Sequence, residues 1–161
     1  MTTIIWAPGD LIVASNGGVE VRLAGVRTNS EVPFYMGHVP DVRGIRVDLV
    51  GVTSRVTMDL DIAYTAAIES WILERKSHGQ EAAGARPLMP GGVVLSAVKP
   101  AITDNHDTDY RLVASHSAGT GTEWDGSWFF VPEPPAAVKH LTIEFTVNGR
   151  PTGKSCRVQL D

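Results

Sequence analysis

The sequence predicts an all-β protein, an antiparallel sandwich of about eight or nine strands, in one domain over residues 1–161. Three observations carry this expectation. Short stretches of apolar/polar alternation, enriched in Val, Ile, Leu and Thr, recur along the chain. Clusters of Gly, Pro and Asn separate them, as turns between strands require. A length of 161 residues with 43% hydrophobic and 20% charged residues suits a single continuous core and is too apolar for a disordered chain.

The first hairpin joins L-I-V-A-S to V-E-V-R-L-A-G-V through Asn16-Gly17-Gly18, residues that tolerate the positive φ of tight connections. Val19, Val21 and Leu23 then share one face, with Glu20 and Arg22 on the other. The run E-V-P-F-Y-M-G-H-V-P-D-V-R-G (31–44) reads as a long irregular connection, because Pro33 and Pro40 confine any strand within it to a sheet edge. Ile45, Val47 and Leu49 alternate with Arg46 and Asp48. Val56, Met58, Leu60, Ile62 and Tyr64 alternate with Thr57, Asp59 and Asp61, so two antiparallel strands joined near Thr53-Ser54 are expected. Over 66–76, Ala67, Ile68, Trp71 and Ile72 fall at helical spacing and predict one short helix; a strand continuing through Trp71 and Leu73 is the alternative.

The small, polar run at 77–92 predicts a mobile surface loop. Strands follow at 93–98, 110–115 and 123–131, the last two flanking S-A-G-T-G-T. P-E-P-P-A-A (132–137) is a stiff bridge, since proline fixes φ and removes ladder donors. Leu141, Ile143, Phe145 and Val147 alternate with Thr142, Glu144 and Thr146, and Asn148-Gly149 turns the chain into a final strand ending at Leu160.

Charge and composition exclude some functions. The net charge is −4, with no cationic run beyond Arg75-Lys76, which argues against nucleic acid as a partner. No stretch approaches the ~20 apolar residues of a membrane helix. Ile4-Ile5-Trp6-Ala7 is cut short by Pro8-Gly9-Asp10, unlike a secretory leader, so a cytoplasmic location is expected. Cys156 is the single cysteine, so no internal disulfide or C-x-x-C zinc site can form. It shares a face with Val158 and Leu160, which reads as an inert core thiol.

Several clusters could carry chemistry. G-R-P-T-G-K-S (149–155) resembles a phosphate-binding loop, but it has three residues between its glycines and strand-like alternation after the lysine, so it reads as a hairpin. G-T-G-T (119–122) lacks the third glycine of a dinucleotide fingerprint. The histidines at 38, 78, 106, 116 and 140 are scattered and no G-x-S-x-G elbow exists, so no catalytic residue is assigned. In E-W-D-G-S-W-F-F, Trp124, Trp128 and Phe130 share one face and Phe129 takes the other. Exposed, the two tryptophans would stack on sugar rings; buried, they would fill the space between sheets, the favoured reading for at least one face.

T-D-N-H-D-T-D-Y (103–110) is the densest ligand cluster, with Asp104, Asn105, Asp107 and Asp109 as candidate calcium ligands. Read from Asn105 it opens like an EF-hand, yet Tyr110 stands where that loop needs glycine and His116 where it needs glutamate. A calcium site would therefore draw further ligands from Asp41, Asp125 or Glu133. The simpler reading is a turn closed by its own Asp and Asn side chains.

The segments P-A-I-T-D-N-H-D-T-D-Y-R-L, W-F-F-V-P-E-P-P and K-H-L-T-I-E-F-T-V, within roughly residues 99–147, resemble poorly characterised bacterial, mainly actinobacterial, proteins with an immunoglobulin-like β-sandwich. The resemblance implies that fold and transfers no catalytic residue. The functional expectation is a non-enzymatic module acting by protein association or self-assembly, with Phe34, Tyr35 and Met36 as a contact patch. The alternatives are a calcium- or carbohydrate-binding module, or a hydrolase pairing His106 or His116 with a carboxylate.

Overall fold

The fold was analysed in a computed structural model that describes residues 11–33, 42–120 and 123–160, together with the backbone of 2–6. The strands are β1 (Thr2–Trp6), β2 (Ile12–Asn16), β3 (Val19–Glu31), β4 (Arg43–Gly51), β5 (Val98–Thr103), β6 (Arg111–Thr120), β7 (Glu123–Val131), β8 (His140–Val147) and β9 (Arg150–Leu160). They form two antiparallel sheets, a four-stranded one ordered β1-β9-β8-β5 and a five-stranded one ordered β2-β3-β4-β7-β6. Three helices, α1 (Arg55–His78), α2 (Gln80–Ala83) and α3 (Pro90–Ser96), stand between β4 and β5.

Alternation decides which residues meet between the sheets. Val19, Val21, Ile45, Val47 and Leu49 of one sheet and Leu141, Ile143, Phe145 and Val158 of the other are buried in a single cluster. Cys156 lies in the same cluster, and burial pushes its thiol up to about 11. The predicted hairpins form where the turn residues stand: Gly17 and Gly18 have φ of 60° and 83°, and Asn148 and Gly149 of 50° and 80°. The Gly149–Ser155 run is this second turn and the start of β9.

The middle of the chain corrects the sequence reading. Residues 56–64, expected as a strand, belong to α1, which runs for 24 residues instead of the short helix expected over 66–76. A capping box starts it: Ser54 Oγ accepts from the Thr57 amide at 3.4 Å, and Thr57 Oγ1 accepts from the Ser54 amide at 2.9 Å. Beyond the cap no glycine or proline interrupts the run until Gly79. Residues 93–96, also expected as strand, lie in α3, where Pro90 occupies the first turn, a position that needs no amide donor. The strand begins only at Val98. The run at 77–92, expected as a loop, thus holds α2 and the start of α3.

α3 closes one end of the core with Val94 and Leu95. It sits close: a Cβ on Gly91 would fall 2.7 Å from the Gly119 Cα, so only glycine lets the helix approach β6. Asn16 Nδ2 donates to the Val94 carbonyl at 3.0 Å and ties α3 to the first hairpin.

Candidate functional site

The turn between β5 and β6 is built around one carboxylate. Asp104 Oδ1 accepts from the amides of His106 at 2.7 Å and Thr108 at 3.2 Å, and Oδ2 accepts from the Tyr110 hydroxyl at 2.7 Å. Desolvation pushes the Asp104 carboxyl upward, but the hydrogen bonds from Tyr110, Thr108 and His106 together outweigh it and hold the group well below the usual carboxylate range. Tyr110 is shifted the other way, raised by burial and by its bond to Asp104.

Asn105, Asp107 and Asp109 are exposed around this knot, with Asp107 in the left-handed region at φ 55°. Asp109 reaches toward Arg111 at 3.9 Å. The candidate calcium ligands therefore surround a turn whose central carboxylate is already engaged on both oxygens. Among the described residues, no three His, Cys, Asp or Glu side chains gather in a set that could hold a metal. Of the supplementary ligands considered, Glu133 accepts from the Asn29 amide at 2.7 Å, and Asp41 lies outside the described residues.

The tryptophans are not on a sugar-binding face. Trp124 and Trp128 are 3% and 2% exposed, so neither ring offers a free surface for stacking. Gly126 makes this packing possible, because a Cβ there would lie 2.7 Å from the Trp128 ring. Phe129, on the opposite face of β7, joins Val32 and Ala114 in a second cluster, and the Arg46 guanidinium stands 5.7 Å from its ring centre. The Trp124 indole N–H is buried without a hydrogen-bond partner.

Histidine placement gives no hydrolytic pair of the kind sketched from sequence. His106 and His116 are exposed, on the acidic turn and on β6. Among the described residues, His78 Nδ1 meets Glu74 Oε1 at 3.0 Å, on the exposed end of α1. A cleft of about 830 Å³ runs between β2 and the β8–β9 hairpin, bordered by Asn16, Asn148, Arg150, Thr152 and Lys154.

Among the described residues, α1 carries most of the large exposed apolar side chains, Val56, Met58, Ile62, Ile72 and Leu73. Its first turns dock on the core through Thr57, 1% exposed, and Leu60. Farther along, Trp71 Nε1 donates to the Gly84 carbonyl at 3.1 Å and Arg75 stacks 5.3 Å from the Trp71 ring centre. Between these anchors, Leu60, Ala63, Tyr64 and Ala67 face Pro87, Leu88 and Val93 across an apolar groove of about 340 Å³. Met58, Ile62, Leu73 and Leu88 are 57%, 65%, 67% and 77% exposed. Phe34, Tyr35 and Met36, the contact patch expected from sequence, lie outside the described residues. No family model, curated protein or solved structure matches the chain.

Proposed function

We propose that this protein is a non-enzymatic, immunoglobulin-like β-sandwich module that works by protein association, with α1 and the adjoining 80–96 segment as its contact face. The observation that carries the reading is the exposure of apolar side chains along a long, well-capped helix. Helices in folded proteins draw most of their stability from packing an apolar face, and α1 packs only its first turns on the core. Covering Met58, Ile62, Leu73 and Leu88 would withdraw apolar surface worth on the order of 4–8 kcal/mol, before the entropic costs of association.

The likeness to actinobacterial immunoglobulin-like proteins and a cytoplasmic location belong to the same proposal. Among the described residues, no helix is long and apolar enough to cross a membrane. A calcium- or carbohydrate-binding role draws less support, given the engaged Asp104 and the buried tryptophans. Light scattering across a wide concentration range, together with affinity capture by the wild-type chain and by Ile62→Glu, tests the reading. The expected result is a mass above the 17.3 kDa monomer, or a captured protein that the substitution releases. A monomer at every concentration, with capture indifferent to the substitution, would refute it.

A further inference from the structure

We propose that the cleft beside β2 is a second binding site, which takes an acidic peptide segment in extended form as an added strand. α1 lines no part of it, so this site stands apart from the association face proposed above. β2 ends the five-stranded sheet, with β3 as its one neighbour among the described strands. The Val52 amide donates to the Glu20 carbonyl at 2.8 Å, so Glu20 turns its backbone groups toward β4. Its β2 partner, Ser15, therefore stands in a non-hydrogen-bonded pair and turns its own N–H and C=O to the open edge. Ser15 is exposed and borders the cleft. An extended chain laid there gains main-chain hydrogen bonds, as in recognition by strand addition.

The charge of the cleft selects its occupant. Across from β2 stands the β8–β9 hairpin, where β9 sets Thr152, Gly153 and Lys154 against Phe145 in an irregular stretch of the ladder. Bulges of this kind re-aim side chains, and Thr152 and Lys154 both border the cleft, with Arg150 beside the turn. Among the described residues neither Arg150 nor Lys154 makes an ion pair. None of the described residues bordering the cleft carries a carboxylate, although the chain has a net charge of −4. Side chains of an added strand alternate, so every second one, about 7 Å apart, faces the hairpin. Carboxylates at those positions are drawn to the two cations, while the intervening side chains face water. The β2 of a second copy does not fit, since Ile12–Asn16 holds no carboxylate and would arrive with the same two cations.

Fluorescence anisotropy of the full chain with a labelled, end-blocked peptide of alternating valine and glutamate tests this, with its lysine counterpart and a backbone N-methylated version beside it. The acidic peptide should bind saturably. Arg150→Glu together with Lys154→Glu should weaken it about tenfold or more and turn the preference toward the lysine peptide, with the circular dichroism spectrum unchanged. Ser15→Pro should weaken it as much, because the ring removes an amide that serves no bond within its own sheet. N-methylation of the peptide, which leaves the protein untouched, should have the same effect. Ile62→Glu should leave the affinity unchanged, which separates this site from the α1 face. No binding at millimolar peptide, or an affinity indifferent to the double charge reversal, would overturn the site. Equal binding of the N-methylated peptide would overturn strand addition, and self-association abolished by Ser15→Pro would replace the acidic peptide with a second copy.

Discussion

Replacing Asp104 with Asn tests how much the β5–β6 turn contributes to stability. The carboxylate accepts two short hydrogen bonds of 2.7 Å and a longer one of 3.2 Å. Hydrogen bonds to a charged group are worth about 1.5–3 kcal/mol each when buried, and Asp104 is only half-buried, so solvent screening removes much of that. Asn keeps a neutral acceptor for the amides and loses the charge-assisted bond from Tyr110. A loss of about 1–2 kcal/mol at pH 7 is expected from urea denaturation, with the slope of the transition unchanged. The pH dependence gives the sharper check. The folded-state carboxyl is held below its unfolded value, so its contribution is complete above about pH 4 and is lost as pH falls through the depressed folded value. The gap between wild type and Asp104→Asn should therefore shrink as the buffer is acidified from pH 4 toward pH 2. Tyr110→Phe should cost about 1 kcal/mol, and the double variant should cost less than the sum, because both changes remove one bond. Equal stabilities at pH 7, or a gap that persists unchanged to pH 2, would refute the reasoning.

Gly126→Ala should destabilise by about 1–3 kcal/mol, since the new Cβ meets a Trp128 ring that is 2% exposed and has nowhere to move; calorimetry and a changed tryptophan emission would register it. Trp124→Phe should cost clearly less than Trp128→Phe, because the first removes an N–H that has no partner; equal losses in thermal melts would contradict this. Cys156 should resist thiol reagents in the native state and react on unfolding. Its folded thiol is raised to about 11, so stability should decline as pH rises from the unfolded value near 8.5 and level off near 11, whereas labelling at the rate of a free thiol at pH 8 would show the site to be open.

The hairpins were legible because their turns carry residues suited to positive φ, and the sheets because Val19-Val21-Leu23, Ile45-Val47-Leu49 and Leu141-Ile143-Phe145 each bury one face. Residues 56–64 misled because apolar residues at every second position can also supply two stripes of a helix. Leu60 and Tyr64 fall on the packed side and Met58 and Ile62 on the outer one. The cap was muted too, since Thr57 performs the return bond that glutamate usually makes. The three- and four-residue spacing of Leu60, Tyr64, Ala67 and Trp71 was the signal that would have revealed the helix. The fate of the tryptophans was less accessible, because β7 buries both of its faces. Alternation separates Trp128 from Phe129 but does not say which side meets water. In the acidic turn, composition alone cannot distinguish ligands that converge from one carboxylate that binds its own backbone.

The pairing of β1 with β9, Thr2 opposite Leu160, has a consequence for the order of assembly. As the chain emerges from the ribosome, β2 and β3 find neighbours close in sequence, whereas β1 has no ladder to join until β9 has been made. Closing so long a loop is entropically costly and makes this ladder among the slowest to form. Until then β1 is an unpaired strand edge, the species most open to pairing with a neighbouring nascent chain. Aggregation during synthesis should therefore depend more on the sequence of β1, which waits longest for its partner, than on that of β2, β3 or β4.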